Sequence, residues 1–314
     1  SPKIPNDLGS INSKYDDIRN FDSLKKFIIN SQPEIVFHLA AQPLVRNSYR
    51  DPLGTWDVNV NGTLNLMEAL KSLKSFCAVV LITTDKVYEN KNWEFGYREN
   101  DVLGGYDPYS ASKAAAEIAI ASWRSSFCGN AIHQTPFLGI STARAGNVIG
   151  GGDWSEDRII PDSIKSLELS KPILVRSPNS IRPWQHVLEP LSGYLCLAQN
   201  IFESSSFESP LTSAFNFGPK QEENHNVKQV VEEILKYWDG NFENISNPDE
   251  PHEAKNLSLH IEKANNLLNW YPKWNFSKSI EKTIKWYKAV NQGECPISCS
   301  LLDLRDYQKN NNGN

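Results

Sequence analysis

The sequence predicts an α/β fold class, with a doubly wound parallel sheet and a smaller C-terminal substrate domain. Short, continuous apolar runs alternate with helical stretches, as in parallel sheets that helices cover on both faces. Polar or small residues follow three of these runs, at the strand ends where ligands bind in such folds. The chain has 314 residues, of which 39% are hydrophobic, and this suffices for one large α/β unit or two domains.

The individual elements follow from the apolar runs and from helical periodicity. The predicted strands are Ile35–Leu39, Val79–Thr83, Gly139–Ala143, Ile173–Arg176 and Ala214–Phe217. The predicted helices between them are Phe21–Ser31, Thr55–Lys74, Tyr109–Phe127, Ile160–Ser170 and Val187–Phe202. Beyond about Asn216 the pattern changes to helices with interleaved Trp and Tyr, at Val227–Trp238, Ile261–Leu268 and Ser277–Val290.

These elements divide into two predicted domains. Residues 1–150 and about 180–216 form the Rossmann-like sheet domain, because four of the five strand-like runs fall there. Residues of about 151–179 and 217–305 form the smaller domain. We expect residues 306–314 to be a disordered tail, because the segment is polar and terminal.

Composition and charge exclude several function classes. The net charge is −5 and no Lys/Arg block is present, which argues against nucleic acid as a partner. No apolar run approaches the length of about 18 residues that a membrane helix needs. The five cysteines are an odd number and fit a reduced, cytoplasmic setting. Cys295 and Cys299 lack a second Cys/His pair at zinc spacing, so we predict no metal site.

Tyr109 and Lys113 lie four residues apart and share one helix face. On that face we expect the ammonium group to lower the pKa of the phenol by favouring the phenolate. Such a Tyr can take a proton from a sugar hydroxyl while a nicotinamide takes the hydride. By itself the spacing is weak, because about one such pair is expected by chance, and an amphipathic helix with an exposed Lys is the alternative.

Thr84, Asp85 and Lys86 follow a predicted strand directly. Adjacent strand residues point to opposite faces, but the chain turns at the strand end and both charged side chains can enter a cleft. The pair would add an acid and a base that simple alcohol oxidation does not need. A surface ion pair is the ordinary interpretation of an Asp-Lys dipeptide, but the following Tyr109 favours the catalytic one.

Further residues are candidates for binding. Ala40 and Ala41 after a strand let the backbone approach a ligand closely, although tight packing explains them equally well. The run Gly150–Gly152 is a flexible segment beside the expected cleft. Arginine offers a bidentate fork to a pyrophosphate, and Trp184 can stack on a ligand or pack in the core. The binding candidates of this part of the chain are Arg158, Arg176, Arg182, Trp184 and, in a later loop, His252.

Taken together, these motifs resemble the extended short-chain dehydrogenase/reductase family, and within it the nucleotide-sugar 4,6-dehydratases. The resemblance runs from about Pro5 to Leu302. The segments that carry it are His38–Pro43, Thr83–Tyr88, Tyr109–Lys113, Arg144–Trp154 and Arg182–Val187. The Asp-Lys pair distinguishes the pattern from dTDP-glucose dehydratases, which carry Asp-Glu.

The resemblance implies a three-step reaction on one tightly held NAD, with CDP-glucose as substrate. Tyr109 would remove the 4-hydroxyl proton, Lys113 would hold the nicotinamide ribose, and Thr84 would bind the 4-oxygen. Asp85 would protonate the departing 6-hydroxyl while Lys86 takes the C5 proton. The resemblance also implies a homodimer, paired through helices 55–74 and 109–127, and a role in deoxysugar and lipopolysaccharide O-antigen biosynthesis.

The resemblance assigns the remaining candidates to two binding surfaces. The residues expected to contact NAD are Asp17, Ile18, Leu39, Ala40, Ala41, Asn59, Thr83, Tyr109 and Lys113. The residues expected to contact the nucleotide sugar are Gln42, Asn147, Arg158, Arg176, Arg182, Trp184, Asn216 and His252.

The family begins with a strand and a Gly-rich turn that seats the NAD pyrophosphate on a helix N-terminus, and this sequence shows neither. We therefore expect that a strand–helix–strand unit is missing and that the chain is an N-terminally incomplete copy of a longer enzyme. The alternatives are another nucleotide-sugar dehydratase or epimerase, and an inactive paralogue that only binds a sugar nucleotide.

Overall fold

A computed structural model describes residues 11–131, 134–135, 137–246 and 256–309 of the chain. In this part of the chain the α-helices are α1 (Phe21–Ser31), α2 (Val45–Arg50), α3 (Pro52–Trp56), α4 (Gly62–Leu70), α5 (Pro108–Phe127), α6 (Ile159–Glu168), α7 (Leu188–Ser204), α8 (Val227–Ile234), α9 (Glu262–Leu268), α10 (Phe276–Asn291) and α11 (Pro296–Lys309). The strands are β1 (Ile35–His38), β2 (Cys77–Ile82), β3 (Leu138–Ala145), β4 (Val148–Ile149), β5 (Ile173–Val175), β6 (Ile181–Arg182), β7 (Gln185–His186), β8 (Ala214–Phe217), β9 (His225–Asn226) and β10 (Phe242–Asn244).

The main sheet is parallel, with the order β1-β2-β3-β8, and this confirms the predicted α/β class. Every residue of β3 and nearly every residue of β2 is buried, because helices cover both faces of the sheet. Helices α1, α4 and α5 pack on one face, and α7 and α9 on the other. The carboxyl ends of β1, β2 and β3 therefore lie at one edge, as the polar residues after the predicted strands indicated.

The predicted helix Thr55–Lys74 has a more complex form in the structure. It begins as α3 at Pro52, with the Asp51 side chain accepting a hydrogen bond from Gly54 N at 2.9 Å. Residues Asp57–Asn61 form a π-helical turn before the α-helical geometry resumes in α4. Such turns insert one residue into a helix and occur frequently at functional sites.

A second hydrophobic cluster forms the smaller unit, from α6, α8, α10 and β5. The predicted strand at Ile173 exists, but it pairs with β10 in a separate two-stranded sheet and not with the main sheet. Residues 261–270, which we assigned to the smaller domain, pack instead against α7 and β8 of the main sheet. The Lys263 ammonium group donates to the Ala214 carbonyl at 2.8 Å, and this bond ties the segment to the strand.

The predicted disordered tail is wrong for residues 306–309, which are the last turn of α11. Tyr307 is buried there, because its hydroxyl donates to the carboxylate of Glu189 at 2.7 Å. Within the described segments, no helix combines the length and the hydropathy that a membrane span requires.

Candidate active site

A cleft of about 900 Å³ opens at the carboxyl edge of the main sheet and continues between the sheet and the second cluster. Its walls include Thr84, Asp85, Lys86 and Tyr109 from the sheet side. The sequence-predicted catalytic motifs thus meet in one cavity, because β2 ends and α5 begins at the same edge.

Tyr109 is held at the first turn of α5. Asp107 caps this helix by accepting from Ser110 N at 2.9 Å, and the Ser48 hydroxyl accepts from Tyr109 N at 3.1 Å. Burial raises the pKa of Tyr109 to about 12, although a hydrogen bond with Thr84 and the nearby Arg158 charge oppose this rise. The phenol is therefore the stable form at neutral pH.

Lys113 is buried one turn along the same helix, and its ammonium group donates to the Ile82 carbonyl at 3.2 Å. Burial lowers the pKa of Lys113 to about 8, while Glu117 opposes the change. Burial dominates the pKa of Tyr109 in this structure, and Thr84 and Arg158 supply the main opposing effects. The effect of Lys113 on Tyr109 stays a prediction.

Thr84, Asp85 and Lys86 form a short 3₁₀ turn at the end of β2. The Thr84 hydroxyl donates to Asp85 Oδ1 at 3.0 Å, and its oxygen accepts from Lys86 N at 3.4 Å. Asp85 Oδ2 is buried and has no hydrogen-bond partner among the described residues. Burial raises the pKa of Asp85, with Lys86 and Arg182 opposing, so the side chain is poised to carry a proton.

A buried ion pair lies directly behind this turn. Arg144 donates from Nε and Nη2 to the two oxygens of Glu117 at 3.0 and 2.8 Å. Glu117 also accepts from the Thr83 hydroxyl at 2.5 Å, while Arg144 Nη1 donates to the Tyr88 hydroxyl at 2.9 Å. The pair therefore fixes both ends of the segment 83–88, which contains the three candidate catalytic side chains.

Burial would raise the pKa of Glu117, but the charge and the hydrogen bonds of Arg144, with those of Thr83 and Thr142, lower it overall. Glu117 is thus a carboxylate in a dry site. The sequence analysis missed this group. A signal existed in the spacing, since Glu117 lies four residues after Lys113 on the same helix face.

The π-helical turn positions Asn59 at the back of the cleft. Its side chain accepts from Gln42 N at 2.8 Å and donates to Gln42 O at 3.2 Å and to Ser112 Oγ at 2.9 Å. These bonds join the loop after β1 to α5. Asn59 is therefore a connecting residue, and its polar atoms are already used within the protein.

Gln42 is not among the residues that line this cleft, so its contact with the sugar stays a prediction. Its side-chain amide donates to Thr55 Oγ1 at 2.8 Å, and its oxygen accepts from Leu44 N at 2.7 Å. Asn216 is likewise not among the lining residues. Its side chain is fully buried between the Tyr97 and His260 carbonyls and the Tyr88 hydroxyl.

The other predicted contacts of the nucleotide sugar lie in the cleft. Asn147, Arg158, Arg176, Arg182 and Trp184 all contribute to its walls. Arg158 Nη1 lies 3.2 Å from Asp153 Oδ2, and Arg176 Nη1 lies 2.9 Å from Asp157 Oδ1.

Trp184 is mainly a core residue, because its indole nitrogen donates to the His225 carbonyl at 2.9 Å and the ring packs in the second cluster. His252 lies outside the described residues.

The residues expected to contact NAD lie around the end of β1. Leu39 is 55% exposed there, next to Ala40 and Ala41. The Asp17 carboxylate binds the Arg19 guanidinium group at 2.6 Å, and Ile18 packs against Gly62 of α4. Thr83 lines the cleft, but its hydroxyl is committed to Glu117.

The glycine run forms one lip of the cleft and packs on the C-terminal helices. A Cβ atom at Gly151 would lie 2.0 Å from Trp286 Cδ2, and Gly152 has a φ of 89°. The Tyr287 hydroxyl donates to the Asp153 carbonyl at 2.5 Å. Glycine is therefore required at both positions, for close approach and for backbone geometry.

Comparisons with known proteins identify the family of the chain. Residues 3–283 match the family described as GDP-mannose 4,6 dehydratase. The CDP-glucose 4,6-dehydratase of Salmonella typhimurium is 45% identical over 96% of this chain and 83% of that protein. The CDP-paratose 2-epimerase of Salmonella typhi is 23% identical over 90% of this chain and 86% of that protein.

Solved structures support the fold. The dTDP-glucose 4,6-dehydratase of Bacillus anthracis, in complex with NAD, aligns with a TM-score of 0.69 at 21% identity, over 87% of this chain and 78% of that one. The UDP-glucuronic acid 4-epimerase of Bacillus cereus aligns with a TM-score of 0.72 at 22% identity, over 88% and 81%. The chain belongs to the GDP-mannose 4,6 dehydratase family, within the extended short-chain dehydrogenases/reductases.

Proposed function

We propose that this protein is an NAD-dependent dehydratase that converts CDP-glucose to CDP-4-keto-6-deoxyglucose. The observation that carries the proposal is Asp85, a buried acid with an unpartnered oxygen, in the same cleft as Lys86 and Tyr109. Oxidation or epimerisation at C4 needs a Tyr base, but water loss also needs a proton donor for the leaving hydroxyl. The 45% identity to the Salmonella typhimurium enzyme supports the same activity.

Each catalytic side chain has one role in this proposal. Tyr109 takes the proton of the 4-hydroxyl, and Thr84, already hydrogen-bonded with Tyr109, binds the 4-oxygen. The resulting 4-ketone acidifies the C5 proton, which Lys86 removes as the base. Asp85, whose pKa burial raises, donates a proton to the departing 6-hydroxyl, so C5 and C6 together lose one water.

NAD would supply the chemistry that side chains lack, by accepting the hydride from C4 and returning it to C6. Lys113 is suited to bind the ribose of NAD. Its buried ammonium group has three donors, and among the described residues Ile82 O is the acceptor that binds it. Leu39, Ala40 and Ala41 present a small, apolar surface at the end of β1, where a flat ring can rest.

The arginines of the cleft suit the diphosphate of a nucleotide sugar. The charge of Arg158 acts on Tyr109, and the charge of Arg182 acts on Asp85. Both arginines therefore lie at the end of the cleft where the hexose would react. Guanidinium groups bind phosphate oxygens in a bidentate manner. The proposed substrate would therefore have its hexose at Tyr109 and its phosphates along the arginines.

Incubation with CDP-, dTDP- and UDP-glucose and with GDP-mannose tests this proposal. We expect the alkaline absorbance of a 4-keto product with CDP-glucose alone. A 4-keto product from only another of these substrates would reject the assigned nucleotide. Epimerised sugar without water loss would reject the dehydratase.

We also propose a homodimer that forms through α3, α4 and α5, and a cytoplasmic role in deoxysugar supply for O-antigen. Leu53 and Ile118, on α3 and α5, are 84% and 59% exposed, which is costly for apolar side chains in water. The described cysteines are free thiols, which fits a reducing compartment. Sedimentation equilibrium of wild type and Ile118→Glu tests the dimer, and a monomeric wild type would refute it.

A further inference from the structure

The cleft has a second end, which the proposed chemistry leaves unused. It is lined by Pro161 and Asp162 of α6, Leu174 of β5, Ser177 and Val227. These residues belong to the second unit, away from the strand ends that carry Tyr109 and Asp85. We call this end the distal pocket, and the role that we assign to it rests on the proposed function.

The distal pocket begins one helical turn beyond Arg158 on α6. The Asp162 backbone amide donates to the Arg158 carbonyl at 3.0 Å, and both residues line the same cleft. Arg176 binds Asp157 at 2.9 Å, and the Arg46 guanidinium group lies 3.6 Å from the same carboxylate. A nucleotide sugar is linear, so a hexose at Tyr109 and phosphates along the arginines leave the base to the distal pocket.

Asp162 differs from the ion-paired and helix-capping aspartates of the cleft. Asp153 and Asp157 each bind an arginine, and Asp107 caps α5. Asp162 is half-buried, yet no described side chain or backbone amide donates a hydrogen bond to its carboxylate. A half-buried acceptor of this kind is satisfied when a ligand donor enters the pocket.

We propose that Asp162 determines base specificity by accepting a hydrogen bond from the 4-amino group of cytosine. Cytosine presents an amino donor at this position, and carboxylates accept from it. Uracil and thymine present a carbonyl oxygen instead, which offers no proton to a carboxylate oxygen. Leu174, which is 52% exposed, and Val227 supply apolar surface for the flat faces of the ring.

Titration calorimetry with CDP and with UDP tests the proposal, because neither ligand carries a sugar that can react. Removing a negative charge strengthens the binding of any anionic ligand. Because this effect is the same for CDP and UDP, it cancels in the ratio of their dissociation constants. We expect wild type to prefer CDP, and Asp162→Asn and Asp162→Leu to reduce that preference about tenfold or more. Glu156→Gln removes an exposed carboxylate from the same cleft and is the control, with an unchanged ratio expected.

A wild-type protein that binds CDP and UDP equally would overturn the proposal. So would Asp162 variants that keep the wild-type ratio while their thermal unfolding matches that of wild type. The experiment is separate from the test of the reaction. A protein that prefers CDP through Asp162 but does not dehydrate CDP-glucose would refute the reaction only.

Discussion

Replacing Glu117 by Gln is the sharpest test of how the buried ion pair supports the fold. The side chains of Glu117 and Arg144 are 2% and 4% exposed, and two hydrogen bonds of 3.0 and 2.8 Å join them. Glu117→Gln preserves the shape but leaves the Arg144 charge uncompensated in a dry site. Removing one partner of a buried pair costs about 3–5 kcal/mol of unfolding free energy.

The double variant Glu117→Gln/Arg144→Met removes both charges. It should recover part of the lost unfolding free energy, because no buried charge then lacks a partner. The remaining cost is the loss of the Arg144 hydrogen bonds to the Tyr88 hydroxyl and the Glu99 carbonyl, about 1 kcal/mol each. Urea unfolding, followed by tryptophan fluorescence, measures both variants. Glu232→Gln is the control, since its ion pair with Lys228 is exposed and contributes about 0.5 kcal/mol or less.

Two results would refute this reasoning. The first is a Glu117→Gln variant that loses less than about 1 kcal/mol, which would mean that the site is not dry. The second is a double variant whose loss equals the sum of the two single losses, because coupled charges cannot be additive.

Three further outcomes are expected. Lys86→Met should abolish water loss while C4 oxidation persists as the near-ultraviolet absorbance of reduced nicotinamide, and unchanged dehydration would exclude Lys86 as the base. Asp85→Asn should slow dehydration by about 10²–10⁴-fold, measured as 4-keto product, since a general acid contributes this much. Burial lowers the pKa of His38 to about 3. As the pH falls below 6.5, this imidazole is therefore protonated in the unfolded chain but not in the folded protein. Stability should then fall by about 2 kcal/mol between pH 6.5 and 5 in urea unfolding, and His38→Gln should flatten this slope.

The sequence predicted the sheet well because its central strands, β2 and β3, are buried on both faces. Ile35, Val79 and Ile140 lie in continuous apolar runs, and the observed strands agree with these runs within a few residues. The π-helical turn at Asp57–Asn61 could not be predicted, since its geometry depends on the bonds of Asn59 to Gln42 and Ser112. Local propensity does not contain such tertiary contacts.

The candidate site was predicted in part, for a similar reason. Thr84, Asp85 and Tyr109 could be predicted because each is adjacent in sequence to the end of an element. Thr84 and Asp85 follow a strand, and Tyr109 lies at the start of a helix. A polar residue type alone does not show whether a side chain lines the cleft. Asn216, for example, is buried between backbone carbonyls. Whether an amide binds a ligand or the protein depends on its partners, and these come from distant parts of the chain.

The packing of Gly151 on Trp286 links the cleft to the far C-terminus. The Trp286 indole nitrogen donates to Ser300 Oγ at 3.0 Å, so one ring connects the cleft lip with α11. A ligand that binds the cleft only while Gly151 packs on Trp286, at 100 times its dissociation constant, would raise the free energy of local unfolding there by about 2.7 kcal/mol. Amide hydrogens of α10 and α11 would then exchange with solvent about a hundredfold more slowly, although neither helix need touch the ligand.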